Sequence, residues 1–278
     1  MTTQDYYNIV PDENGWRMLP NGNKFKLGIN SIIGNNVKIG AGASIGNYAY
    51  IGNSAYIGNG VTIDNYTTID NYTTIDDRVR IGYRATIGYK STIGNCTVIG
   101  DGAKIGDGAK IGDAAYIGKG VNIGNNTTIG NKVTIGNNVK IGNNVVIGYR
   151  ATIGYKSTIG DCTVIGDGAK IENYTTIGNC AEIENKVTIE NNVTIGKDAY
   201  INDCPAIGND VSVSNNDKTT YLVTVINSAA DYLEHKLFNS LIEAEQCAKG
   251  FGSHCTIEIW TRVSNKTESR NNYYENKN

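Results

Sequence analysis

Ile33-Gly-Asn-Asn-Val-Lys38, repeated without change as Ile135-Gly-Asn-Asn-Val-Lys140, decides how the chain is read. Stepping by six from Ile33, every position through Ile207 is isoleucine, thirty in register, with Leu27 and Val213 in phase at the two ends. Glycine follows 23 of the thirty, the exceptions being Asp64, Asp70, Asp76, Glu172, Glu184, Glu190 and Asn202. Four residues after each isoleucine stands Val, Ala, Thr or Ser, with Pro205 the single departure.

A period of six turns an α-helix by about 600°, so these isoleucines cannot form one helical stripe. Glycine at every sixth place would also cost a helix roughly 1 kcal/mol each time. Six residues do suit a short strand plus a corner, with Ile and the small or β-branched residue pointing inward and Gly-Asn or Asp-Asn making the turn. Composition agrees. The chain has 278 residues with 34 Gly but only 3 Pro, which excludes collagen and a proline-rich linker. Its 25 Lys+Arg against 27 Asp+Glu leave a net charge of −2, which argues against a nucleic-acid binder or a polybasic membrane anchor. No run approaches the ~18 apolar residues of a membrane span. Met1 to Val10 lacks a signal-peptide pattern, and the six Cys contain no C-x-x-C pair. A reduced, cytoplasmic protein is expected. The wealth of Asn, Ile, Tyr and Lys suits an AT-rich bacterial or phage genome.

On these repeats the chain resembles the hexapeptide-repeat family. The resemblance covers residues 27–213 and implies an all-β solenoid, a left-handed parallel β-helix with three hexapeptides per coil. The hand comes from the resemblance, since the general crossover rule favours the opposite one. Eighteen residues per coil gives about ten coils, and ~4.8 Å per stacked strand gives a rod roughly 50 Å long.

The expected organisation is an N-terminal hairpin cap (1–26), the repeat rod (27–213), a small C-terminal β-α-β unit (214–264) and a disordered tail (265–278). Pro20-Asn-Gly-Asn23 is read as the hairpin turn and Trp16 as a plug over the first coil. Thr219 to Ile226 and Thr256 to Val263 read as strands, with Ser240-Leu-Ile-Glu243 opening a helix that Gly250 ends.

Most members of the family are acyltransferases that use a general-base His on the helix wall. Here no His occurs between residues 27 and 213, the two being His235 and His254. The three-His zinc site of the related γ-class carbonic anhydrases is excluded on the same ground. Hence no catalytic residue, metal site or cofactor is expected. Asp64, Asp70 and Asp76 take successive corners rather than one column. Cys162 and Cys180 lie 18 residues apart and should stack.

One surface concentration stands out. Tyr48, Tyr66 and Arg84 share a column, as do Tyr72 and Lys90, and Trp260 lies on a predicted terminal strand. Tyrosine beside a cation is good contact chemistry for a glycan, a nucleotide or a protein, although such stacks also simply stabilise an outer wall. Ile81-Gly-Tyr-Arg-Ala-Thr-Ile-Gly-Tyr-Lys-Ser-Thr92 recurs at residues 147–158, a shift of 66. That is eleven hexads, not a multiple of three, so the copy should face a different way. The outer Thr residues are interrupted by Lys and Val, which speaks against an ice-binding array. The reading is a non-enzymatic rod for structure, assembly or binding, with recognition through the C-terminal unit and the homotrimer that the resemblance implies. An atypical acyltransferase and a glycan or small-molecule binder are the alternatives.

Overall fold

The computed structural model describes residues 3–201, 206–209, 212–213, 219–227, 233–238, 255–263 and 266–268. From Ile32 to Ile201 every hexad contributes one short strand, and strands 18 residues apart pair in parallel, as Ile75 does with both Ile57 and Ile93. Three flat walls result. Wall one runs from Lys24–Leu27 through Ala43–Ile45 to Ala206–Ile207, wall two from Ile32–Ile33 to Ser212–Val213, and wall three from Lys38–Ile39 to Tyr200–Ile201. The chain visits them in that order, so each coil has three corners.

All thirty isoleucines are at most 7% exposed and fill the axis. The inward Thr and Ser residues beside them are buried as well, and their hydroxyls are satisfied. Thr73 Oγ1 donates to the Gly88 carbonyl at 2.9 Å, and Thr127 Oγ1 to that of Gly142 at 2.9 Å. A β-branched hydroxyl therefore substitutes for valine here without an orphaned polar group.

The first coil is closed differently from expectation. The hairpin forms, Arg17–Met18 pairing antiparallel with Lys24–Leu27, and its turn is a three-residue loop ending on Gly22 at φ +83°. Trp16 is not the plug. It lies half-buried with the Lys26 ammonium 4.7 Å from its ring centre. The end is filled by Phe25 (0% exposed) and Tyr6, edge to face at 6.0 Å. Tyr6 comes from a short helix, Thr3–Asn8, that the sequence did not announce. That helix also answers open backbone groups of the first coil: Tyr6 Oη donates to the Val37 carbonyl and Tyr7 Oη to that of Gly28. Burial raises the pKa of Tyr6.

At the other end both expected strands form, as Thr219–Asn227 and Cys255–Val263, but they are antiparallel neighbours. Two further strands, Leu233–Phe238 and Lys266–Glu268, flank them in one four-stranded sheet. The first was missed because Glu234, His235 and Lys236 interrupt its apolar pattern, a charge content typical of sheet edges. The second corrects the disordered-tail expectation at its start. The helix expected at 240–250 lies outside the described residues. The edge strand Leu233–Phe238 runs beside Ala206–Ile207 and Ser212–Val213, so the sheet meets the last coil. Among the described residues no helix is long and apolar enough to cross a membrane.

Candidate functional site: the corners

The corners hold both the chemistry that builds the rod and its candidate contacts. Each hexad makes a corner from the three residues after its isoleucine. The first of these donates its N–H to the isoleucine carbonyl of the next coil, as Gly94 does to Ile111 at 2.8 Å. The third donates back to the previous coil, as Lys132 does to the Asp113 carbonyl at 2.8 Å. The second has no backbone acceptor, and a buried or crowded N–H needs one. A side chain supplies it: Asn125 Oδ1 accepts from the Asp107 N–H at 2.9 Å, and Asn143 Oδ1 from the Asn125 N–H at 2.8 Å. Asn or Asp thus forms a ladder along each corner, each rung reaching the coil before it. The Gly-Asn pair does more than turn the chain.

The ladder explains the glycines. A Cβ on Gly94 would stand 2.5 Å from Asp113 Oδ1 and 2.7 Å from its backbone nitrogen. Where tyrosine replaces the rung, the crowding eases; on Gly136 a Cβ would stand 2.9 Å from the Tyr155 nitrogen. Asp64 and Asp70, two of the seven non-glycine residues, lie one coil before Tyr83 and Tyr89. Asp70 even replaces the missing rung, its Oδ1 accepting from the Asn71 N–H at 2.6 Å. Where Asp76, Glu172 and Glu190 replace glycine while the Asn rung remains, the rungs measure 3.2, 3.1 and 3.1 Å, at the long end of a range that the Gly82 corner also reaches at 3.1 Å. Burial, then the charges of Asp113 and Asp77, raise the pKa of Asp76.

The third corner residue is left-handed throughout: Tyr66 at φ +59°, Arg84 at +55°, Lys90 at +54°, Ala114 at +55°. Asn and Gly take this conformation readily, whereas Tyr, Arg, Lys and Ala sit there at a cost. Long side chains at these places project outward from the corner edge, not from a flat wall.

Tyr48, Tyr66 and Arg84 are brought together as the column predicts. Tyr48 and Tyr66 stack at 4.9 Å and 8°, Tyr83 meets Tyr66 edge-on at 5.6 Å, and the Arg84 guanidinium lies 5.0 Å from the Tyr83 ring centre. Tyr48, Tyr66 and Tyr72 keep 46%, 48% and 55% of their surface exposed. Tyr72 meets Tyr89 edge-on at 5.7 Å, and Lys90 lies 5.1 Å from the Tyr89 ring, on the next corner. These are therefore two separate clusters. Trp260 is far from both in sequence, on the terminal sheet opposite Leu222.

The internal copy behaves in part as expected. Tyr149 and Arg150 occupy the corner between walls three and one, whereas Tyr83 and Arg84 occupy that between walls one and two. The second half of the copy does something the shift did not suggest. Tyr155, Lys156 and Tyr174 return to the corner of Tyr83, four coils further on or ~19 Å along the axis. There Lys156 lies 5.1 Å from the Tyr155 ring and 5.9 Å from that of Tyr174. A shift of eleven hexads moves each unit back by one corner, so the second unit of the copy lands where the first unit of the original stands. Gly102 and Gly120 leave the third place of that corner without a side chain at two coils between the clusters.

Among the described residues no group of three or more His, Cys, Asp or Glu is placed to hold a metal ion. Asp101 and Lys119 pair at 3.0 Å on the first corner, which lowers the carboxyl pKa and raises that of the ammonium.

Two family models match the rod. Bacterial transferase hexapeptide (six repeats) matches residues 120–155, and the hexapeptide repeat of succinyl-transferase matches 73–113, 145–178 and 186–216. No curated protein matches the chain. Similar solved structures include the UDP-N-acetylglucosamine O-acyltransferase of Moraxella catarrhalis, 21% identical over 55% of this chain and 65% of that one, with a TM-score of 0.39. The UDP-N-acetylglucosamine acyltransferase of Campylobacter jejuni is 26% identical over 59% of this chain and 65% of that one, with a TM-score of 0.31. The Arabidopsis enzyme of the same name is 14% identical over 81% and 76%, with a TM-score of 0.41. The chain thus spans 65% of the length of the Moraxella and Campylobacter proteins. Thirty unbroken units and three-wall stacking at 18 residues make the rod an all-β parallel solenoid, and hexapeptide-repeat models match its units across residues 73–113, 120–178 and 186–216.

Proposed function

We propose that the chain works as a rigid, non-enzymatic rod that assembles with copies of itself and presents its corners and terminal sheet to a partner. The observation that carries this reading is the unbroken repeat. No loop leaves the helix between Ile32 and Ile201, and no imidazole stands between residues 27 and 213 to serve as a general base. Tyrosine–cation clusters on the corners supply the contact chemistry. The docked terminal sheet covers strand edges that would otherwise invite end-to-end association.

Acyl transfer is the second reading, and a specific observation favours it: both matching family models describe repeats of transferases. An active site of that kind would have to work without imidazole on the rod. Glu, Asp, Tyr and Lys side chains facing one another across a subunit interface would be the available acids and bases.

One experiment divides the two. The full chain is weighed by native mass spectrometry and then incubated with acetyl-CoA or an acyl carrier protein donor, with UDP-N-acetylglucosamine and amino-sugar acceptors. A homotrimer without acylated product is expected. Product formation that survives repurification, and that one rod substitution abolishes, would put acyl transfer first.

A further inference from the structure

Two thiols on one corner form a built pair. Cys162 and Cys180 occupy the same left-handed corner place in consecutive coils, both at φ +57°. Their backbones are pinned: the Cys162 N–H donates to the Asn143 carbonyl at 2.9 Å, and the Cys180 N–H to that of Asp161 at 2.7 Å. Equal conformations on a ladder with ~4.8 Å per coil make the two Cα–Cβ bonds parallel. That Cα spacing falls inside the disulfide window of about 4.4–6.8 Å, and the Cβ atoms, equally ~4.8 Å apart, need to close by only a few tenths of an ångström to meet theirs of about 3.5–4.5 Å. Both residues are exposed free cysteines, one directly above the other in the column.

We infer that Cys162 and Cys180 are a redox-modifiable dithiol, closed to a disulfide by low-molecular-weight disulfides such as oxidised glutathione. One thiolate attacks the glutathione disulfide, forming a mixed disulfide and releasing one glutathione thiol. The neighbouring thiolate then attacks the protein sulfur of that bond, closing Cys162–Cys180 and releasing the second. Two electrons pass from the protein pair to the glutathione disulfide, and the two thiol protons end on the released glutathione. The bridge staples consecutive coils of a solenoid whose stability is a sum of neighbour contacts, so it opposes unzipping from the C-terminal end.

Cys96 is the internal control. It has the same corner conformation and is exposed, but Arg78 and Ala114 are its column neighbours, so it has no second thiol. Local desolvation first, then the charge of Cys162, raises the pKa of Cys180, so closure should accelerate as pH rises through and beyond the ordinary thiol range of about 8.5.

The test reduces the full chain, treats it with oxidised glutathione and maps the products by peptide mass spectrometry. A Cys162–Cys180 bridge within one chain is expected, formed at a rate independent of protein concentration, with Cys96 carrying glutathione. In the bridged protein, hydrogen exchange across residues 159–183 should slow by about tenfold or more and recover on reduction. Cys162→Ser should leave Cys180 as a stable glutathione adduct like that of Cys96. Separate adducts on Cys162 and Cys180 in the unmutated chain, or bridges that join two chains, would overturn the inference.

Discussion

The corners around residues 107–143 and those around residues 83–90 do the same job with different residues. In the first region every corner but that of Lys119 offers Asn or Asp, whose Oδ1 accepts the one corner N–H that has no backbone partner. In the second, Tyr83 and Tyr89 give that rung up and pack with Tyr66 and Tyr72. The exchange trades a hydrogen bond between coils for an aromatic surface, and at the Tyr89 corner Asp70 supplies a local acceptor in its place. It also relaxes the demand for glycine one coil before, where Asp64 and Asp70 stand. Rigidity and contact chemistry therefore compete for the same corner place, and the motif Gly-Tyr-Arg/Lys marks where contact wins.

The axis beneath both regions should be equally intolerant, and that is the largest effect expected. Ile117 is 0% exposed and pairs with Ile99 and Ile135. Ile117→Asp should cost at least about 4 kcal/mol and unfold neighbouring coils, read as lost β signal and a lowered melting temperature. Wild-type stability would refute the inward ladder.

The glycines sharpen the comparison directly. Gly94→Ala should destabilise by about 2 kcal/mol, because backbone and a pinned Asp113 must move, whereas Gly136→Ala, facing Tyr155, should cost clearly less. Equal costs in denaturant titration would mean that the rung does not set the glycine requirement.

Removing a rung comes next. Asn125→Ala takes the acceptor from the Asp107 N–H and should cost about 1 kcal/mol, with faster exchange of that one amide. A protected Asp107 amide in the variant would show that water or another group serves as well.

The smallest effect concerns charge. The folded pKa of Asp76 lies above its unfolded value, so its ionised form opposes folding. That cost is present at neutral pH and disappears as pH falls through the raised folded pKa towards the unfolded value of about 3.9. Asp76→Asn should therefore be the more stable protein at pH 7, and its advantage should vanish below about pH 4. An advantage that persists in acid would assign the effect to packing.

Thirty isoleucines at a spacing of six dictated strand, corner and core before any coordinates, because no helix can use that period, while the coil of three hexads came from the resemblance to the hexapeptide-repeat family. The columns followed from the same arithmetic, so Tyr48, Tyr66 and Arg84 were placed together from sequence. Tertiary structure alone decided what partners the corner N–H groups. That acceptor comes from 18 residues away and across a coil, and a single hexad shows only a turn residue. It also decided the plug, since Trp16 and Phe25 look alike as apolar signals and only packing against Tyr6 distinguishes them. The terminal sheet lay further from reach for a related reason. Its edge strand Leu233–Phe238 carries charges in place of an alternating pattern, and its pairing is set by strands outside the repeat. Periodic sequence specifies neighbours by counting, whereas non-periodic contacts are specified only when the chain closes on itself.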